Sequence, residues 1–252
     1  MTTIKKHISN YGSFRIVTGP KAEIRCLCFH GLGGNPNHFF RLYEELPNNV
    51  QLIMVGLDQL SGKTPHAMDI IKQLRQHIRG DIHCIIGHSA GSRFALAAQE
   101  TFPNIPIITI NPGLLSKIKQ LKVFLCLRQL PFIGMKLKKF IDNKFFNNAY
   151  QDRRNSPFKQ NEVKRLAETP YDQSRHWIIW AQQLPLHPPR HQYLQITGEN
   201  DKIVPMEKQS KMIQAWKGEW IIKANSSHML LIEEPEWLAT QINKTLTLWS
   251  KQ

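Results

Sequence analysis

The sequence from residue 82 to residue 98 reads IHCIIGHSAGSRFALAA, and this stretch decides the fold. Its apolar first part is typical of a buried strand, and its last seven residues have the composition of a helix. A strand that reverses into a helix within three residues leaves no room for side chains on either side of the turn, so glycine is favoured there. Gly87 and Gly91 occupy those positions, and Ser89 lies at the apex. We therefore predict that Ser89 is a nucleophile on a strand-to-helix turn.

Six other strand-like runs accompany this turn, and helical patterns separate most of them. The predicted strands cover residues 14–17, 24–29, 51–57, 82–86, 105–110, 193–197 and 219–223. Strands that alternate with helices indicate the α/β class, with a mostly parallel, twisted sheet flanked by helices. Polar loops after such strands meet at the carboxyl edge of the sheet, where α/β proteins build their sites.

The alternation is interrupted once, over residues 114–189, where no convincing strand occurs. Ile118, Leu121 and Leu125 recur there at the spacing of an amphipathic helix. We predict that residues 1–113 and 190–252 form one core, and that 114–189 are a helical cap inserted into it.

The positive charge of the chain is concentrated in this predicted cap. The formal net charge is +14, and between Lys117 and Arg165 there are thirteen Lys or Arg against three acidic residues. Such a segment attracts acidic proteins or anionic lipids, although basic residues on helices also commonly form a solvated face. The candidate partner-binding residues are Lys138, Lys139, Arg153 and Arg154. No nucleic-acid-binding motif accompanies them, so no nucleic acid is expected.

The composition limits the location and the chemistry. The amino-terminal residues lack the apolar region of a secretory signal, and no apolar run reaches the roughly 20 residues of a membrane helix, so a cytoplasmic protein is expected. The four cysteines mostly lie in apolar runs without metal-ligand spacing, which favours reduced, buried thiols. We expect neither a metal site nor a cofactor.

A serine hydroxyl needs a general base, and the base needs an acid that orients it. Residues 198–205, which follow a predicted strand, contain both Glu199 and Asp201. His228 follows the last predicted strand, in a loop of small polar residues. The chain order Ser89, acid, His228 is the order expected for a nucleophile on this kind of turn. We predict Asp201 as the acid, with Glu199 as the alternative, and His228 as the base.

Acyl transfer also requires two backbone N–H groups that stabilise an oxyanion. Ala90, the residue after the nucleophile, supplies the first. The second is expected from Leu32, in the glycine-rich turn that follows the strand over 24–29. His30 and His88 flank the predicted site, and we interpret them as structural or substrate-lining residues.

Five of these segments, in this order, resemble the α/β-hydrolases of the capped, single-domain carboxylesterase type. They are His30-Gly31, Asp58 with Ser61-Gly62, residues 87–91, the Gly-x-x-Asp loop from Gly198 to Asp201, and His228 with Glu233-Glu234-Pro235. The Gly-x-x-Asp spacing of the family favours Asp201 over Glu199. The chain departs from the family in the loop after Asp58, which lacks the usual Pro-Gly-x-Gly form, and in its more basic cap.

The resemblance implies a serine hydrolase that cleaves a carboxylic ester or thioester through an acyl-enzyme. The basic cap is similar to that of esterases which cleave pimeloyl-carrier-protein methyl ester in biotin biosynthesis, so an acidic acyl carrier protein is one expected partner. Two alternatives stay open: a lipase or lysophospholipase at anionic membranes, and a non-catalytic binding protein of the same fold.

Overall fold

The computed structural model describes residues 7–11, 14–32, 34–57, 66–113, 147–150, 176, 179–180 and 183–251. Its strands are β1 (His7–Asn10), β2 (Arg15–Thr18), β3 (Ile24–Phe29), β4 (Val50–Gly56), β5 (Cys84–His88), β6 (Ile107–Ile110), β7 (Tyr193–Gly198) and β8 (Glu219–Lys223). Its helices are α1 (Phe40–Glu45), which a 3-10 turn (Pro36–Phe39) precedes, α2 (Ala67–His77), α3 (Gly91–Ala98), α4 (Met206–Trp216), α5 (Leu230–Glu233) and α6 (Pro235–Trp249).

The eight strands form one sheet in the order β1-β2-β4-β3-β5-β6-β7-β8. The pairs β1·β2 and β2·β4 are antiparallel, and the pairs from β4 to β8 are parallel. The predicted α/β class with a mostly parallel sheet is therefore confirmed. Because β3 and β5 to β8 point the same way, the loops that follow them lie at one edge of the sheet.

Both faces of the central strands are buried, as parallel sheets require. Along β3 the side chains alternate, so that Leu27 and Phe29 join one apolar cluster with residues of α2, α3 and α4. Cys26 and Cys28 join the other cluster, with residues of α1, α5 and α6. The sheet is thus the middle layer of three, which accounts for the continuous apolar runs from which its strands were predicted.

The sequence analysis did not predict β1. This strand has the sequence HISN and pairs with β2 only, at the end of the sheet, with most of its side chains exposed. An edge strand in water has no apolar alternation for a pattern search to detect. The pairing of backbone groups with β2 forms it instead.

The described cysteines, Cys26, Cys28 and Cys84, are free thiols and fully buried. Burial raises the pKa of the Cys28 and Cys84 thiols well above the ordinary value, because a thiolate in an apolar interior loses its hydration. This agrees with the predicted reduced state. Cys126 lies outside the described residues.

Most of the predicted cap, residues 114–189, lies outside the described residues. Trp180 and Leu184, at its carboxyl-terminal end, are buried in the same apolar cluster as α3. The Trp180 ring meets the Phe94 ring edge-on, with their centroids 5.6 Å apart. This end of the predicted insertion therefore contributes to the core.

No helix in the described ranges is long and apolar enough to span a membrane.

Candidate active site

Ser89 lies on the turn between β5 and α3, as predicted, and has φ 51. That left-handed conformation is uncommon for a residue other than glycine and marks a strained turn. A Cβ atom at Gly91 would lie 2.2 Å from the Phe29 carbonyl oxygen, and one at Gly87 would lie 2.5 Å from the Ser92 Cα. The two glycines therefore allow α3 to start directly against β3 and β5.

The structure brings together the three residues predicted as nucleophile, base and acid. The Oγ of Ser89 lies 2.9 Å from the Nε2 of His228, and the Nδ1 of His228 lies 2.8 Å from the Oδ2 of Asp201. The side chains of His228 and Asp201 are buried. Because the carboxylate only accepts, the Nδ1 of His228 carries the proton, and the Nε2 lone pair faces the serine hydroxyl. This arrangement can remove a proton from Ser89.

The second oxygen of Asp201 is held by its own loop. Its Oδ1 accepts the backbone N–H groups of Ile203 and Val204, both at 2.8 Å. These two bonds fix the carboxylate so that Oδ2 faces His228. Glu199, the alternative acid, is exposed and accepts the Asn225 N–H at 2.9 Å instead.

A buried polar network supports this acid loop. The Nε2 of Gln209, on α4, donates to the Val204 carbonyl at 2.7 Å. The Oε1 of Gln209 accepts from the Thr197 hydroxyl at 2.7 Å and from Gln195 at 3.2 Å. Trp220 of β8 donates to the same hydroxyl at 3.0 Å. The network joins α4, β7 and β8 beneath Asp201, and a satisfied network of this kind makes its surroundings rigid.

Ala90 and Leu32, the predicted oxyanion donors, belong to two segments that meet at Ser89. Ala90 follows Ser89 in the chain, and at Gly31, the residue before Leu32, a Cβ atom would lie 2.9 Å from the Ser89 Cβ. The Gly34 N–H donates to the Gly31 carbonyl at 3.0 Å, which closes a tight turn that contains Leu32. Ala90 precedes the first residue of α3, where a helix leaves its N–H groups without intrahelical partners. Within the described part of the chain, no backbone carbonyl accepts the N–H of Leu32 or Ala90. Both groups can therefore donate to a ligand.

His30 and His88 are buried, and both bind backbone groups. The Leu57 N–H donates to the Nε2 of His30 at 3.1 Å, so its Nδ1 carries the proton and donates to the Gly31 carbonyl at 2.9 Å. The Nε2 of His88 donates to the His228 carbonyl at 3.1 Å. These contacts favour the structural interpretation of both rings over the substrate-lining one.

The pKa of His88 is well below its ordinary value. Burial is the main cause, because it disfavours the imidazolium ion, and the nearby imidazole of His228 adds to the effect. His88 therefore stays neutral beside the base.

The side chains of Asn111 and Ser227, which the sequence analysis did not single out, connect the loop of His228 to other parts of the protein. Asn111 donates to the His228 carbonyl at 2.8 Å. The Ser227 hydroxyl contacts the Glu233 carboxylate and lies 2.8 Å from the Ala149 carbonyl, within a short described segment of the predicted cap. The available signal for Asn111 was its place directly after a buried strand, which it shares with many asparagines that have no role in a site.

Other predicted residues lie outside the described ranges, namely Asp58, Ser61, Gly62 and the basic residues Lys138, Lys139, Arg153 and Arg154. Among the residues that the structure does describe, no three His, Cys, Asp or Glu side chains are grouped so that they could hold a metal ion.

Comparisons with known proteins agree with this fold. Residues 26–241 match the model of a family described as "Alpha/beta hydrolase family". Similar solved structures include a thermophilic esterase from Thermogutta terrifontis, with a TM-score of 0.77, 15% identity, and coverage of 96% of this chain and 98% of that one. A putative lipase from Acinetobacter baumannii gives a TM-score of 0.73 and 18% identity over 99% of this chain and 93% of its own. No curated protein sequence matches significantly.

A side chain at Gly31 is expected to disturb Ser89, the predicted nucleophile. A Cβ there would lie 2.9 Å from the Cβ of Ser89 and 3.4 Å from its Oγ. Gly31→Ala should slow the reaction of Ser89 with a fluorophosphonate by about tenfold or more, because small displacements of a reacting atom are costly. Gly19→Ala is the control, since its Cβ would meet the Tyr43 hydroxyl instead. Equal rates of labelling in the two variants would contradict the expected contact between a side chain at position 31 and Ser89.

His88 is expected to reduce stability in mild acid. Folding lowers the pKa of His88, so below about pH 6.5 the unfolded chain binds a proton at this residue that the folded protein does not bind. The free energy of unfolding therefore falls as the pH drops below that value. His88→Gln should therefore show a smaller loss of unfolding free energy between about pH 7.5 and pH 5.5. His30, His38 and His228 lie near His88 and remain in both proteins. Denaturant titration measures the difference, with His187→Gln, an exposed site, as the control.

Proposed function

Because the chain belongs to the alpha/beta hydrolase family, we propose that it is a serine hydrolase that cleaves a carboxylic ester or thioester through an acyl-enzyme intermediate. The observation that carries this proposal is the continuous line of contacts from the Ser89 hydroxyl through His228 to the buried Asp201 carboxylate. The solved esterase structures with the same fold agree with it. The same contacts argue against a purely binding role, which would not need a buried base and acid.

In the first half of the reaction, the Ser89 Oγ attacks the acyl carbonyl carbon while the Nε2 of His228 takes its proton. A bond forms between Oγ and the carbonyl carbon, and the carbonyl oxygen becomes an oxyanion that the Leu32 and Ala90 N–H groups stabilise. Asp201 stabilises the imidazolium that has formed. The oxyanion then reforms the carbonyl, and the bond between the acyl carbon and the leaving oxygen or sulfur breaks. His228 gives its proton to that leaving atom, and the acyl group stays on Ser89.

In the second half, His228 takes a proton from a water molecule, whose oxygen attacks the acyl carbon. The same N–H groups stabilise the second oxyanion. When the bond to Ser89 breaks, His228 gives the proton back to Oγ, and the carboxylic acid leaves. The products are one acid and one alcohol or thiol, and the enzyme returns to its starting state.

Ser89→Ala should abolish both covalent labelling by a fluorophosphonate and hydrolysis of p-nitrophenyl esters from acetate to decanoate. The variant lacks the oxygen that forms the acyl bond, so a fall of about 10⁴-fold or more is expected. Ser210→Ala, whose hydroxyl donates to the Glu207 carbonyl within α4, should behave as wild type. Labelling that persists in Ser89→Ala would exclude this nucleophile. A wild-type protein that is neither labelled nor active would favour the binding role.

We propose further that the ester is delivered by an acidic carrier protein, of the kind that carries pimeloyl methyl ester. The support is the concentration of positive charge between Lys117 and Arg165, because complementary charge accelerates the encounter of two proteins. The same charge favours a second candidate, a lipase acting at anionic membranes, where basic helices bind. A membrane phospholipase A has a similar structure, with a TM-score of 0.76 at 16% identity.

Exchange of Lys138, Lys139, Arg153 and Arg154 for Glu should separate these candidates. Delivery by a carrier protein predicts slower turnover of a carrier-bound ester, with unchanged turnover of a free p-nitrophenyl ester, and a difference that shrinks as salt is added. Delivery from a membrane predicts instead that wild type co-sediments with anionic vesicles and that the variant does not. Equal losses on free and carrier-bound esters would exclude docking of a carrier protein, and co-sedimentation that the exchange leaves unchanged would exclude docking on a membrane through these residues.

A further inference from the structure

Asn111 lies at the centre of the site, although it touches none of the reacting atoms. It follows β6 directly, is fully buried and has φ 45. In the sheet, β6 lies between β5, which leads to Ser89, and β7, which leads to the loop of Asp201. Asn111 therefore stands between the nucleophile turn and the acid loop, at the carboxyl edge of the sheet.

The side-chain amide of Asn111 connects the acid loop to the base loop. Its Oδ1 accepts the N–H of Gly198, where the acid loop begins, at 2.7 Å. Its Nδ2 donates to the carbonyls of Ser227 and His228, at 3.1 and 2.8 Å. Only this orientation of the amide fits, because a flipped amide would place its oxygen against two carbonyls and its N–H₂ against an N–H. Both protons of the Nδ2 are used.

The backbone around Asn111 holds the nucleophile. The Ser89 N–H donates to the carbonyl of Ile110 at 2.9 Å, and the N–H of Gly113 donates to the Ser89 carbonyl, also at 2.9 Å. The N–H of Asn111 itself donates to Ile196 of β7 at 2.8 Å. One four-residue segment thus binds the backbone of the nucleophile, while its asparagine binds the loops of the acid and the base.

His88 completes the attachment of the base. The His228 carbonyl accepts from the Nε2 of His88 as well as from Asn111, which uses both of its lone pairs. One donor lies at the end of β5, the strand that leads to Ser89, and the other is the residue directly after β6. The backbone of His228 is therefore fixed from two strands, and its ring position relative to Ser89 depends on both bonds.

We propose that Asn111 is a positioning residue, which sets the location of His228 relative to both Ser89 and Asp201. This inference rests on the serine-hydrolase function proposed above. Loss of the Nδ2 bonds lets the His228 loop shift, and a misplacement of about 1 Å in a catalytic group lowers the rate by about 100-fold. Because the side chain is fully buried, the substrate does not reach it, so the effect falls on kcat and leaves KM nearly unchanged.

Asn111→Asp is the most selective test. Aspartate has the same shape and keeps the acceptor for the Gly198 N–H, but it places an oxygen where Nδ2 donated to two carbonyls. It should lower kcat on p-nitrophenyl esters by about 100-fold, with KM within about twofold of wild type. A wild-type kcat, or a change confined to KM, would overturn the proposal.

Gln51→Leu is the matched control, measured beside Asn111→Leu. Gln51 is also a buried amide that donates to a backbone carbonyl, that of Gly19, at 2.8 Å. Gln51 lies at the amino-terminal end of β4, whereas Ser89, Asp201 and His228 lie beyond the carboxyl ends of the parallel strands. Both leucine variants lose a buried amide, so both unfolding midpoints should fall, and that of Asn111→Leu should fall further because leucine is strained at φ 45. Only Asn111→Leu should lose kcat. An equal loss of kcat in the two would assign Asn111 to stability alone and overturn the proposal.

A second readout needs no substrate. The proton that His228 shares with Asp201 should give a far-downfield proton resonance in the NMR spectrum, identified by its loss in His228→Gln. We expect this resonance in wild type, Ser89→Ala and Gln51→Leu, and its loss or shift in Asn111→Asp. An unchanged resonance would overturn the proposal even if no ester is hydrolysed, so failure of the proposed function remains distinguishable. If neither Asn111 variant folds while Gln51→Leu does, Asn111 is required for folding and the positioning role is excluded.

Discussion

The close approach of the first turn of α3 to the end of β3 is the constraint on which the rest of the structure depends. At Gly91 the two backbones are so close that even a methyl group would overlap the Phe29 carbonyl. The chain can make this contact only by turning sharply after β5, and that turn forces Ser89 into its left-handed conformation. The strain is offset by the apolar cores on both faces of the sheet. The Ser89 hydroxyl lies at the carboxyl edge of the sheet because the packing of α3 against β3 fixes the turn that carries it.

The partners of Ser89 reach it through strand order. Because β5 to β8 are parallel neighbours, the turns after β5, β7 and β8 converge at one edge, although His228 is 139 residues from Ser89 in the chain. The side chains are then aligned by backbone groups, as in the two amides that hold Asp201 and the bonds around the His228 carbonyl. The order of the strands brings the three side chains to the same edge of the sheet, and these hydrogen bonds fix their positions relative to one another.

The sequence was sufficient to predict the parallel sheet, because its central strands are buried on both faces and mostly apolar. It was also sufficient to predict that Ser89, His228 and Asp201 meet, because each follows a predicted strand and such loops converge at one edge of the sheet. It could not predict β1, whose side chains are mostly exposed and whose backbone pairs with β2 at the end of the sheet. It could not identify Asn111 either, since one asparagine after a strand acquires its role from carbonyls that are distant in sequence. The hydrogen bonds of His30 and His88 to backbone groups could not be predicted either, because a sequence pattern does not show the orientation of an imidazole ring.

The buried thiols have a consequence for the chemistry of the whole protein. Cys26, Cys28 and Cys84 are enclosed in the core, and burial keeps Cys28 and Cys84 protonated, so these groups are poor nucleophiles in the native state. Electrophiles that seek sulfur therefore meet no reactive partner in the described core. These thiols become accessible to such reagents when the sheet unfolds. The extent of their modification would therefore measure unfolding, even when the molecules that remain folded keep their full activity.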